Sequence, residues 1–308
     1  MFRMYSAIWR ISWQRQIILI VLSVIIAGLA AVPLEYQKDI VNHLSDRSAD
    51  HYELLRLCIE MFALILLSLG FKWVLGFRSG TLGEDTIRFL RARIYENAVE
   101  KFKGDRQDLK EGTLATMISA EAEELGKFTG GAFSDPVVQI GTLISVVSFI
   151  AASQPGLGLL ALCIITPQAF LVLLTQKQVN RLVAERVHVL RKSTDAVLGS
   201  ELRTVSQSVI EDFDRIYETR RRMFVWKLST KFVISALSGG GTVAVLLMGG
   251  WLVIDGRTDV GTVVAATAGL ARLQGPTTFL IAFYRQVSAT RVKFELLSEM
   301  AARDRSPR

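Results

Sequence analysis

No glycine-rich phosphate loop is present in this chain, and its 308 residues include only two cysteines, three histidines and six prolines. A phosphate loop needs a G-x-x-x-x-G-K-[ST] run, so that backbone N–H groups wrap the phosphates and the lysine neutralises them. The one Gly-Lys pair, Gly126 and Lys127, is followed by Phe128 and has Glu121 where the first glycine belongs. A nucleotide site of that kind is excluded. Cys58 and Cys163 fall within or beside apolar runs, show no metal-ligand spacing and read as packing residues. His43 and His51 bracket Asp46 and Asp50, a weak metal pattern that a solvated loop explains more simply.

What is abundant is apolar sequence. Half of the residues are hydrophobic and the mean hydropathy is +0.34, which fits a chain that uses lipid as part of its solvent. Residues 17–34 carry no charge, and 18 helical residues cross most of a hydrocarbon core about 30 Å thick. Arg3, Arg10 and Arg15 ahead of this run also suit a signal peptide, but the run is long for one and no clear small-x-small cleavage site follows. Further spans are expected at residues 57–77, 136–153, 157–175, 232–254 and 260–284. The second contains Glu60 and Lys72, and a buried amphipathic helix is its alternative. The fold class expected is all-α: a polytopic membrane protein with six transmembrane helices.

Lysine and arginine concentrate at the N-terminus, between spans two and three, and between spans four and five, where the stretch ends in Arg220, Arg221 and Arg222. The positive-inside rule makes these segments cytoplasmic and both termini with them. The acidic loop at 35–53, the link at 154–156 and the turn at 255–259 then lie outside. Residues 1–16 are expected to form a cytoplasmic segment, 17–300 the membrane domain and 301–308 a tail, in a bacterial inner (plasma) membrane. Membrane topology and anionic inner-leaflet lipid account for the net charge of +7 without nucleic acid as a partner.

Two of the gaps between spans are long and helix-patterned. Ile87, Leu90, Ile94, Ala98 and Phe102 fall on one helix face, the pattern stops at Gly104, Asp105 and Gly112, and it resumes from Leu114 through Ile118 and Leu125. The second gap repeats this with Val179, Leu182, Val183, Val187 and Leu190, a break at 193–199, then Val205, Val209, Phe213 and Ile216. About twenty-five residues of helix would project roughly 35 Å beyond the membrane. Two such rods without a partner would bury little to offset their ordering entropy.

Specific segments then point to a family. Val260, Gly261 and Thr262, followed by Ala265, Gly275 and Pro276, lead to an exit containing Ala289, Arg291, Val292, Phe294, Glu295, Leu296 and Leu297. This resembles the V-G-T…A…G-P sequence and A-x-R-v-f-e-L-L exit of the transmembrane region of type I ABC exporters. Gly112 to Met117, with Glu121, is similar to that family's G-E-L-x-S-R…D stretch, although Thr113 replaces glutamate and Met117 arginine. Leu202, Arg203, Thr204, Val205 and Glu211 match an i-r-t-V…E pattern, with Glu201 for glycine and Ser206 for lysine. The likeness covers nearly all of residues 10–300. It implies two long cytoplasmic hairpins whose tips carry short coupling helices that dock on ATPase domains, near 105–116 and 189–199. Asp105, Gln107, Lys110, Gly112, Leu114, Lys192, Thr194 and Asp195 are the coupling candidates. It also implies an ABC ATPase subunit or domain and a second transmembrane subunit, identical or different, as partners; ATP and Mg are expected on the ATPase, with no cofactor on this chain. Leu237 to Gly241 come close to the ABC signature loop but lie inside a span, where small residues suit close helix packing or a flexible point.

Charged groups in hydrocarbon are costly unless they face a bundle interior, a cavity or the interface. Arg272 lies halfway along span six, a turn before Pro276, too deep to reach either surface easily. Glu60 and Lys72 have interfacial snorkelling as their alternative, the simpler account for Lys72. Gln139, Gln168, Thr166 and Thr267 either line a cavity or join helices by hydrogen bonds. Pro167 and Pro276 should loosen their helices. The pathway set is Arg272, Gln139, Gln168, Glu60 and Pro276. The expected function is the permease subunit of an ABC exporter, not hydrolytic by itself. The alternatives are the membrane half of a longer exporter cut before its ATPase, and a non-transporting scaffold or regulator that the altered tip residues keep open.

Overall fold

In hydrocarbon every backbone N–H and C=O must find a partner within the membrane, which leaves helices or closed barrels. A computed structural model describes residues 2–45, 50–103, 117–199 and 207–302, and among them there are helices and no strands. They are α1 (Phe2–Leu29), α2 (Val32–Ser45), α3 (His51–Lys103), a π turn (Met117–Glu121) leading into α4 (Ala122–Gly131), α5 (Ser134–Ser153), α6 (Pro155–Gly199), α7 (Gln207–Ile254) and α8 (Val260–Ala302). At 53 residues α3 is about 80 Å long, far more than a ~30 Å core needs. The membrane helices and the rods are therefore continuous, as the apolar periodicity predicts: Ile87 and Ala98 are buried, with Leu90 and Ile94 partly so.

Five stretches are long and apolar enough to cross a membrane: Phe2–Ser45, His51–Val99, Met117–Ser153, Pro155–Val183 and Val209–Ile254. The further span expected at 260–284 is helical throughout within α8. Arg272, Gln274, Gly275 and Pro276 dilute its hydropathy, so it is less apolar than the other five.

Local chemistry sets the breaks. Pro33 has no N–H to donate to the Leu29 carbonyl, so α1 ends and a new helix starts at Val32, with proline in its first turn. Gln154 is extended (φ −153°, ψ 106°), as steric contact with Pro155 requires, and Pro155 opens α6. Gly256 at φ 69° closes α7: its N–H reaches the Val253 carbonyl (3.0 Å) and the Arg257 N–H that of Leu252 (2.8 Å), the paired bonds of a Schellman end.

Two expectations change. Residues 35–45 are helix, not loop, because Leu34 and Pro33 anchor α2 in the bundle and the polar residues fall on its outer turns. The break expected at 193–199 is absent; α6 runs on to Gly199. The segment before residue 16 is helical and kinks at Ser12 (φ −134°, ψ 21°), whose Oγ donates to the Ile8 carbonyl at 2.9 Å. α6 and α8 run as helix through Pro167 and Pro276.

The core has three parts. Leu34, Val146, Ile150, Leu157, Val245 and Leu270 join α2, α5, α6, α7 and α8 at one end of the bundle. Leu19, Ile26, Leu75 and Leu82 join α1 to α3. Met4 and Ile8 of α1 meet Phe128 and Val287 at the other end, where the Tyr5 ring stands edge-on to Phe133 at 5.3 Å. Apolar transfer contributes little between helices already in lipid, so close packing is what holds them. None of the most apolar stretch of α3 is buried within this chain, which leaves it to lipid or to another polypeptide.

Candidate functional site

The break at Pro33 has a consequence inside the bundle. The Leu34 N–H bonds the Ala31 carbonyl at 2.8 Å rather than that of Ala30, and the freed Ala30 oxygen accepts from Arg272 Nη1 at 3.1 Å. A cation thus satisfies a carbonyl at the negative end of α1. The same guanidinium borders a cavity of about 730 Å³ between α1, α2, α3, α5 and α8. Its polar lining includes Lys72, Asp135, Gln139 and Arg272, with Pro276 beside them; Ile26, Leu69 and Phe279 are among the apolar walls.

Arg272, Gln139 and Pro276, expected on a pathway from sequence, come together here. Two others do not. Glu60 stands outside the lining and pairs with Arg56 at 2.7 Å, one helical turn away. Gln168 donates to Ser238 Oγ at 3.2 Å and is spent on joining α6 to α7. The hydroxyls of Thr166 and Thr267 bond carbonyls of their own helices. Lys72, for which snorkelling was the simpler account, lines the cavity instead. Asp135 was missed; its place just before Pro136, at the edge of a span, was the available signal. Among the described residues, neither Lys72, Asp135 nor Gln139 has a hydrogen bond or ion pair. No three His, Cys, Asp or Glu side chains among them group as a metal site.

Of the coupling candidates, Asp105, Gln107, Lys110, Gly112 and Leu114 lie outside the described residues. Lys192, Thr194 and Asp195 lie on the α6 backbone, with side chains outside the description. The base of the first arm is described. Arg91 Nε donates to the Ile118 carbonyl in the π turn at 3.0 Å, Glu123 sits between Arg91 (3.4 Å) and Lys127 (2.5 Å), and Lys293 of α8 pairs with Glu124. These are exposed pairs, each worth about 0–1 kcal/mol, so they orient the arm more than they stabilise it.

At the opposite end Asp259 caps α8. It accepts from the Thr262 N–H at 2.7 Å and the Thr262 hydroxyl at 2.8 Å, while the Gly261 N–H donates to Asn42 Oδ1 on α2 at 2.8 Å. Partial burial raises the Asp259 carboxyl, but the bonds from Thr262 and Asn42 and the nearby Lys38 charge outweigh it and hold it below its ordinary value. The folded state therefore gains stability from this carboxylate above the unfolded pKa of about 3.9, and loses it as pH falls further through the depressed folded value. Asp259→Asn should lower the unfolding midpoint at pH 7, and the gap to the parent chain should close on acidification below about pH 4, as thermal melts across pH will test.

Between α6 and α7 an antiparallel ladder runs from Gly241, whose added Cβ would meet Ile164 Cδ1 at 2.9 Å, through Gln168–Ser238 to Thr175–Thr230 at 2.6 Å. The Leu237 to Gly241 segment is thus unbroken helix, packed at Ser238 and Gly241, while Gly239 and Gly240 face open space. Gly241→Leu should destabilise the purified protein by about 1–3 kcal/mol through overpacking, whereas Gly239→Leu should leave its melting point unchanged or slightly raised.

No curated protein matches the chain. The family model of the ABC transporter transmembrane region matches residues 16–196, more than half of the 308, from α1 through nearly all of α6. Its match takes in the α1, α2, α3 and α5 walls of the cavity, and the chain belongs to the ABC transporter transmembrane region family.

Proposed function

We propose that this chain is the membrane-spanning subunit of an ABC-type exporter. With a second transmembrane subunit it forms the translocation pathway, and ATPase domains that bind ATP and Mg drive it through the ends of its long arms. Residues 17–300 act as the membrane domain, with both termini on the cytoplasmic side of an inner membrane. The observation that carries this reading is the cavity within the helix bundle whose lining brings Arg272, Lys72, Asp135 and Gln139 together. Polar groups there are costly without a role, and a solute path gives them one. The arms support the rest: α3 and α8, with 53 and 43 residues, are levers continuous with the cavity walls, and α6 and α7, with 45 and 48 residues, form the second long arm beside them.

In this mechanism the ATPase domains close on ATP and draw the arm ends together. The bundle, bistable because its helices are close-packed, shifts between a state open to the arms' side and one open to the other. The Asp259, Asn42 and Gly261 contact of α2 with α8 then works as a hinge or clamp at the far end. Vesicles reconstituted with the chain and its ATPase should move solute only with hydrolysable ATP. Equal movement without ATP, or none with any solute class, overturns the proposal.

A further inference from the structure

Among the described residues, the charged groups in the cavity lining are Lys72, Arg272 and Asp135: two cations and one carboxylate. Arg272 already holds the Ala30 carbonyl, but that partner is neutral and leaves its charge unbalanced. Lys72 and Asp135 are in no ion pair among the described residues, with each other or with anything else. A lining with one more cation than carboxylate favours a monoanion, which removes the imbalance. The remaining wall is mostly hydrocarbon, with Ile26, Leu69, Leu75, Val138 and Phe279, while Ser68, Gln139 and Thr142 offer uncharged hydrogen-bonding groups. A volume of about 730 Å³ suits one drug-sized ligand and not a two-chain phospholipid.

We infer that the cavity takes a single-chain amphipathic monoanion, its acid group held between Lys72 and Arg272 and its chain along the apolar wall. Asp135 sets the limit on charge: its carboxylate disfavours any second negative group placed beside it. Lys72 is the residue that makes the site selective, because Arg272 is partly occupied by Ala30. The inference rests on the transport reading only where the occupant is called a substrate; the binding site stands without it.

The test uses the purified full chain in a nonionic detergent and in nanodiscs, with 11-(dansylamino)undecanoate as probe and its methyl ester and trimethylammonium analogue as controls. The acid should bind at least tenfold tighter than either control. Lys72→Gln and Arg272→Gln should each weaken it fivefold or more, Lys72→Arg should restore it, and Asp135→Asn should bind it as well or better. Glu60→Gln, outside the lining, should leave binding unchanged, and size-exclusion profiles will confirm that each variant is folded. Equal binding of acid and ester, or an undiminished affinity in folded Lys72→Gln, overturns the inference. Competitive displacement by phosphatidylglycerol at the probe's own affinity also overturns it, because the occupant would then be a bilayer lipid. Selective binding without ATP-driven movement of the probe would leave this site standing and count against the transport reading. Transport of some other solute with no acid selectivity would do the reverse.

Discussion

Gly261→Ala is expected to cause the largest loss of stability of any single methyl addition to the α2–α8 contact. A Cβ at residue 261 would overlap the Lys38 carbonyl oxygen and crowd Asn42 Oδ1. Because the nearest obstacle is backbone in the middle of a helix, no rotamer change relieves it. Either α2 moves away from α8 or the α8 start unwinds, and both break the Gly261–Asn42 bond and disturb the Asp259 cap. Overpacking costs about 1–3 kcal/mol, and loss of the cap and the shared bond adds about 1 kcal/mol each. A sharp fall in melting temperature in detergent, well beyond that of Asp259→Asn, is the expected reading; an unchanged melt would show that the two helices do not touch there. The V-G-T segment thus has a physical reason: the glycine admits the neighbouring backbone and the threonine completes the cap.

Arg272→Ala is expected to have the largest effect on transport. It removes a cation from the cavity and leaves the Ala30 carbonyl unpaired at the α1–α2 break. A hydrogen bond to a charged group is worth about 1.5–3 kcal/mol, and each 1.4 kcal/mol is tenfold. ATP-driven uptake into inverted vesicles should therefore drop at least about tenfold. Arg272→Lys keeps the charge but not the fixed fork and should retain part of the rate. Full transport by Arg272→Ala would remove this residue from the pathway.

The helical arms were legible because Ile87, Leu90, Ile94 and Ala98 repeat at helix spacing, and Ile87 on that face packs against Gly126 of α4. The break at Pro155 and the turn at Gly256 were legible from the chemistry of those two residue types. Residues 35–45 misled because Glu35, Lys38 and Asp39 look like loop when α8 cannot be seen beside them. The cavity was legible in part. Arg272 announces itself by depth alone, but Lys72 needed a direction: a long side chain near a span's end reaches either the interface or the interior, and only the neighbours decide. Gln168 and Ser238, 70 residues apart, gave no local hint that they would satisfy one another. Leu190 and Phe213 fall on the expected inner face of the second arm and yet are about half exposed. Glu60, a charged residue in an apolar run, has its ion-pair partner one turn away on the same helix, a contact the i,i+4 spacing from Arg56 offers.

The measurement that bears most directly on the central claim is affinity purification of the chain from its native membrane in mild detergent, followed by identification of what accompanies it and assay of ATP hydrolysis. An ABC ATPase, copurifying as a subunit or joined to this chain in one polypeptide, with hydrolysis that depends on its presence, is the predicted result. Recovery of the chain with no ATPase in either form and with no ATP turnover would contradict the account.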